Sequence, residues 1–260
     1  VFDPPRLSLS LSGLSREEGH AWSGPPRAML AWAGQAAHGA GVRSVVLDAT
    51  RAGFRGRELD RGARRDLASG LRRMELGFAG LDLFVPAKDF LNPETVQRAV
   101  DALLDAVSLA ADLTGDASGR VVSVDLPPDL GSDVRGSIED AATREGVRVA
   151  DFGAADTGVA ESSIGLGLDP VRAIERGESP GKLAARAGER LIAARLGDRD
   201  GAGRCPVGDG DLDVTGYGAA LATVGIDTVA IDLRGLGEPT RAMATACEAW
   251  AGVFRLPGQA

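Results

Sequence analysis

The chain has 260 residues, 44% of them hydrophobic and 4% aromatic, with a formal net charge of −8 and a pI near 4.9. That length can bury a full core as one unit, since a (β/α)8 barrel takes about 250 residues, so a single domain over residues 1–260 is expected. The acidic balance argues against nucleic acid or an anionic membrane surface as partner, because both are drawn by summed positive potential. No run approaches the roughly 18 apolar residues of a membrane span, and VFDPPRLSLSLS lacks the basic stretch and apolar core of a secretory signal, so a cytoplasmic location is expected. Cys205 and Cys247 cannot form a CxxC clip and are read as free thiols.

Short Val/Ile/Leu runs alternate with longer Ala/Leu/Arg segments of helical period, the pattern of repeated βα units. Eight strands are expected, at Arg6–Leu11, Arg43–Ala49, Gly80–Pro86, Arg120–Pro127, Val147–Phe152, Ser163–Asp169, Arg190–Leu196 and Thr228–Arg234. Between the second and third, Leu59, Ala63, Leu67, Leu71 and Met74 recur at intervals of three or four and predict a helix whose arginines face outward. After the third, Asn92 is placed as a helix cap and Pro93 in the first turn, with Val96, Val100, Leu103, Leu104 and Val107 facing the barrel. Gly41, Gly80, Gly146 and Gly225 each precede an apolar residue at a strand start and are read as helix C-caps. The Gly/Asp-rich stretch 197–213 follows the seventh strand and reads as a long βα loop. The fold class is therefore α/β, a single (β/α)8 barrel.

In such a barrel the active site lies at the C-terminal ends of the strands, which makes Asp48, Asp125, Asp151, Asp169, Asp198, Asp232 and Arg234 the first candidates. Several acids converging there can hold a cation or a polar substrate, whereas a single one can equally cap the helix that follows. His20 and Trp22 sit on the loop after the first strand, where an aromatic ring can stack on a sugar or anchor the loop. Arg51, Arg55 and Arg57 follow the second strand and could reach a phosphate or carboxylate at the mouth. The rest of the basic segment 51–73 is read as a solvated helix face.

Several stretches, namely RRDLASGLRRMELGFAGLDLFVPAKDF, SIGLGLDPVRAIERGESPGKLAARAGERLIAARLGDRD, PVGDGDLD and VAIDLRG, resemble the xylose-isomerase-like barrels known as sugar phosphate isomerases/epimerases. The resemblance covers nearly the whole chain. It implies a divalent ion that polarises a substrate carbonyl while two acids move a proton, with Asp169 at the family's sixth-strand Asp and Asp232 at the place of its eighth-strand Glu. Gly208-Asp209-Gly210 matches the family loop, and Asp198 matches a following Asp. Two positions depart from the pattern: Arg195 replaces a seventh-strand His, and Phe152 falls at a fifth-strand Glu, unless a one-residue shift brings in Asp151.

Arg stays protonated and donates no lone pair, so a cation would rest on Asp169, Asp232 and Asp151, an oxygen set suited to magnesium or manganese rather than zinc. The alternative is no metal at all, with Arg195 in its place, paired to Asp169 and Asp232 or holding an anionic group. The implied activity is sugar or sugar-phosphate isomerisation or epimerisation. Asp169, Asp232 and Arg195 would be catalytic, and His20, Trp22, Arg51, Arg55, Asp198 and Arg234 would hold a small carbohydrate or sugar phosphate, in a chain that could form a homo-oligomer. Two other classes compete: a non-catalytic metabolite-binding barrel, and an endonuclease-IV-like phosphodiesterase, which two histidines and an acidic charge disfavour.

Overall fold

The computed structural model describes residues 4–14, 20, 22–114, 119–153 and 162–255. Its strands are β1 (Arg6–Ser10), β2 (Ser44–Asp48), β3 (Gly77–Leu83), β4 (Val121–Val124), β5 (Arg148–Asp151), β6 (Ile164–Leu168), β7 (Leu191–Leu196) and β8 (Thr228–Ile231). They close into a parallel barrel in the ring order β1-β8-β7-β6-β5-β4-β3-β2. The helices are α1 (Pro26–Gly39), α2 (Arg61–Arg73), α3 (Val96–Leu113), α4 (Ser132–Glu145), α5 (Pro170–Glu175), α6 (Pro180–Ala187), α7 (Val214–Val224) and α8 (Pro239–Val253). β6 is followed by two of them, α5 and α6. β5 reaches β6 with no helix among the described residues. The fold class and all eight expected strands hold, with ends moved by up to three residues.

The core follows from the strand period of two. Leu9, Val45, Leu47, Leu81, Val122 and Val149 are fully buried beneath the helices, which contribute Met29, Leu103, Ile138 and Leu221. The barrel interior is lined instead by small residues, Ser8, Gly80, Ser123, Ala193 and Ala230, around a cavity of about 130 Å³.

Three local expectations are corrected. β3 begins at Gly77, so Gly80 lies inside the strand at φ +140°, and a Cβ there would stand 2.8 Å from the Val121 carbonyl oxygen; it permits close strand approach and caps nothing. The turn out of α2 is made by Glu75 at φ 52° instead. Gly146 and Gly225 are left-handed C-caps as expected, and Gly41 follows the cap residue Ala40. α3 starts at Val96 rather than at Pro93, because the Asn92 side chain accepts from the Glu94 N–H and its carbonyl from Thr95 and Val96, forming a turn ahead of the helix. Stretch 197–213 is a loop, as expected, but Asp198–Arg199 and Arg204–Cys205 pair in it as a short antiparallel ribbon. No helix of the described residues is long and apolar enough to cross a membrane. Both cysteines are free, and burial comes first in pushing the Cys205 and Cys247 thiols up to about 11.

Candidate functional site

Asp169 follows β6 and caps α5: its Oδ1 accepts from the Val171 N–H at 3.0 Å. That bond leaves Oδ2 facing four guanidinium groups, with Arg234 Nη2 at 2.8 Å, Arg204 Nη2 at 3.3 Å, Arg195 Nη1 at 3.7 Å and Arg172 Nε at 3.9 Å. Asp232 follows β8. Its Oδ1 accepts from the Arg234 backbone N–H at 3.1 Å and from Arg234 Nε at 2.8 Å, while Oδ2 accepts from Arg204 Nη1 at 2.8 Å and from Arg234 Nη2.

Arg195, at the end of β7, reaches across the barrel to β3, which lies opposite in the ring. Its Nη2 donates to Asp82 Oδ1 at 2.9 Å, and the other Asp82 oxygen accepts from the Ser10 hydroxyl at 2.8 Å. The guanidinium lies 4.1 Å from the Phe152 ring centroid and 5.1 Å from that of Phe84, which Arg234 also approaches at 5.0 Å. Two glycines make room for this arrangement. A Cβ on Gly167 would stand 2.3 Å from the Phe152 ring, and a Cβ on Gly13, itself at φ +73°, would stand 2.1 Å from Arg234 Cγ.

Three carboxylates, Asp82, Asp169 and Asp232, thus balance three guanidiniums, Arg195, Arg204 and Arg234. The acids lie beneath: the Asp169 and Asp232 side chains are 1% and 2% exposed, against 21% for Arg204 and 19% for Arg234. A ligand entering the mouth therefore meets N–H donors first. Burial opposes ionisation of Asp232, but the Arg234 hydrogen bonds and the charges of Arg234, Arg195 and Arg204 win and hold its carboxyl well below the usual carboxylate range. Burial likewise acts against the Arg234 charge and is overcome by Asp232, Asp169 and Asp82, so that guanidinium is held protonated even more firmly than usual. Arg172 grips Asp125 with two bonds of 2.7 and 2.6 Å, which raise its pKa. The buried Tyr217 hydroxyl donates to the Arg195 carbonyl at 2.9 Å, and burial followed by the charge of Asp169 keeps it un-ionised.

Of the residues singled out in the sequence, Asp169, Asp232, Arg195 and Arg234 come together, and Asp125 joins the edge through Arg172. Arg195 pairs with Asp82 and Asp169; no bond joins it to Asp232, whose partners are Arg204 and Arg234. The Asp151 Oδ1 accepts from the Leu126 and Gly153 N–H groups at 3.0 and 2.8 Å. Asp198 binds backbone too: it accepts from Arg199, Gly208, Gly210 and Leu212 N–H groups at 2.8 to 3.1 Å and so organises the long loop. Asp48 accepts from the Thr50 N–H and hydroxyl.

The first two loops hold each other. Arg51 Nη2 donates to the Trp22 carbonyl at 2.7 Å, His20 stacks on Trp22 at 4.5 Å, and Trp22 packs on Trp32 of α1 at 5.0 Å. Arg55 donates to the Thr50 carbonyl and pairs with Glu58, and it lines a cleft that does not include Trp22.

The donor set does not fit a divalent cation. Each oxygen of Asp169 and Asp232 already accepts from an N–H, four fixed positive charges stand within 4 Å of Asp169, and Arg195 and Phe152 offer no lone pair where ligands would be needed. Among the described residues no three His, Cys, Asp or Glu side chains are grouped as ligands.

Three participants escaped the sequence reading: Asp82, Arg204 and Phe84. Asp82 interrupts GLDLFVP, and its parity with Gly80 and Phe84 was the available signal for an inward-facing charge. Arg204 carried none, since only the ribbon's return brings it over the mouth.

No family model and no curated protein matches this sequence. The fold, in contrast, is shared with many solved structures. A xylose isomerase domain protein from Planctomyces limnophilus is 13% identical with a TM-score of 0.68, over 97% of this chain and 96% of that one. D-psicose 3-epimerase from Clostridium cellulolyticum H10 is 13% identical with a TM-score of 0.69, over 96% and 100%. A sugar phosphate isomerase/epimerase from Parabacteroides distasonis is 12% identical with a TM-score of 0.69, over 97% and 96%. The closed eight-stranded barrel of this chain is thus the fold of xylose-isomerase-like domain proteins and of sugar epimerases and isomerases.

Proposed function

We propose that this chain binds a small carbohydrate or sugar phosphate at the barrel mouth and moves a proton next to its carbonyl, with guanidinium groups supplying the electrophile. The observation that carries this reading is the convergence of Arg195, Arg204 and Arg234 on Asp169 and Asp232 at the ends of β6, β7 and β8. In the step envisaged, a carbon–hydrogen bond beside the carbonyl breaks and its proton passes to one carboxylate. The electron pair moves onto the carbonyl oxygen, and the enediolate is held by N–H donors of Arg204 and Arg234. Return of a proton to the same carbon from the other side epimerises; return to the former carbonyl carbon, with the neighbouring hydroxyl proton passing to the former carbonyl oxygen, isomerises.

A carboxylate held far below its usual pKa is a weak base. Substrate oxygens that draw Arg204 and Arg234 away from Asp232 would raise its basicity at the moment it is needed. The alternative class, a barrel that binds a carbohydrate without turning it over, is favoured by one observation: every oxygen of both acids is already engaged.

The test is a panel of ketoses and ketose phosphates incubated with native protein and with Arg234→Gln and Asp232→Asn, in chelator and in manganese. Epimerisation that persists in chelator and falls at least a hundredfold in both variants supports the proposal. Binding without turnover selects the second reading, and activity that requires manganese overturns the metal-free chemistry.

A further inference from the structure

A cleft of about 230 Å³ opens between the loop after β2, the end of β3 and the start of α3. That is several times the roughly 30 Å³ share of one water, enough for a tetrahedral oxyanion and the atoms that carry it. Arg55, Arg57 and Arg98 line it, with Asp89 and Asp105 as the opposing acids. Arg55 is engaged by Glu58. Arg57 and Arg98 are exposed, and among the described residues no carboxylate holds either in an ion pair. Burial is the first cause that raises the Asp105 carboxyl above its ordinary value.

Phe84 forms part of the cleft wall, and the same ring lies 5.1 Å from the Arg195 guanidinium and 5.0 Å from that of Arg234. The cleft and the charged mouth are therefore separated by one aromatic side chain. Two unpaired guanidiniums beside a roomy, half-walled space suit a phosphate, which takes several N–H donors at once.

We infer that this cleft takes the phosphate of a phosphorylated substrate whose carbonyl end lies across Phe84 at the Arg195, Arg204 and Arg234 cluster. The inference rests on the carbohydrate reading for the identity of the ligand's other end, while the anion site stands on the cleft alone.

The experiment compares full-length native protein with Arg57→Gln/Arg98→Gln and with Arg204→Gln, by calorimetry with inorganic phosphate, a ketohexose and the same ketohexose phosphate. Both cleft arginines are exposed, so thermal melting of the double variant should match that of the native chain. The expected result is that the double variant binds inorganic phosphate and ketohexose phosphate about tenfold or more weakly, with ketohexose affinity unchanged. The inference is overturned if native protein binds no phosphate, if the double variant binds it as well as native, or if only Arg204→Gln weakens it, which places the anion in the mouth. Phosphate binding that depends on Arg57 and Arg98, in a protein that binds neither sugar, keeps the anion site and sinks the carbohydrate reading.

Discussion

Asp169 and Asp232, on the loops after β6 and β8, have counterparts in Asp151 and Asp198 at the ends of β5 and β7. All four are buried, 4%, 4%, 3% and 1% exposed, and all four close an apolar strand. The Asp198 carboxylate and the Asp151 Oδ1 accept backbone N–H groups and fix the path of a loop. Asp169 and Asp232 each keep an oxygen for side chains and gather guanidiniums above them. An acid at a strand end therefore says little about chemistry until its partners are known. Peptide partners make it scaffold, whereas mobile charged partners that a ligand can compete for make it a candidate site.

The sharpest way to break this contrast is Asp169→Ala, which removes the acid that faces four arginines and leaves buried positive charge uncompensated. A stability loss of about 3–5 kcal/mol in urea unfolding is expected, as when one partner of a buried pair is deleted. A loss below about 1 kcal/mol would mean that the arginines turn to water and that the cluster is not a balanced unit.

A smaller effect is expected from Asp198→Ala, where the orphaned N–H groups of residues 199–212 can open to solvent. About 2–3 kcal/mol should be lost, with new protease cleavage inside that loop and intact ligand binding at Arg234. Binding that disappears with the loop intact would move Asp198 into the site.

The least effect at neutral pH concerns titration. The folded pKa of Asp232 is depressed, so its stabilising contribution is fully present above the ordinary aspartate value of 3.8 and is lost as pH falls below it. Thermal melting between pH 6 and 3 should show stability dropping at the acid end, and Asp232→Asn should flatten that drop. An unchanged profile in the variant would assign the acid limb to other carboxylates.

The barrel was legible in the sequence because its eight apolar runs and their helical spacers obey two distinct periods, and each strand stands where its run lies. The mouth was only partly legible. Asp169 and Asp232 announce themselves by ending a strand, and so do Asp151 and Asp198; Arg234 two residues after Asp232 and Arg172 three after Asp169 are near in sequence, but the other side-chain partners of the two acids lie 26 to 65 positions away. Asp82 was hidden inside a strand, where a charge reads as an interruption. Trp22, whose loop position left both stacking on a sugar and anchoring the loop open, contacts His20, Trp32 and Arg51, partners that its sequence neighbourhood alone does not name.

The close fit of Gly13 against Arg234 and of Gly167 against Phe152 bears on how such a site is inherited. Any side chain at position 13 would displace the arginine that grips both acids, and any at 167 would displace the ring on which Arg195 rests. Arg234 is thus tied to Gly13 in the turn after β1, and Arg195, through Phe152, to Gly167 of β6, and neither member of a tie can drift alone. In diverging copies of this chain Gly13 should travel with Arg234, and Gly167 with Phe152 and Arg195, so Phe152 and Arg195 should change together and not one at a time.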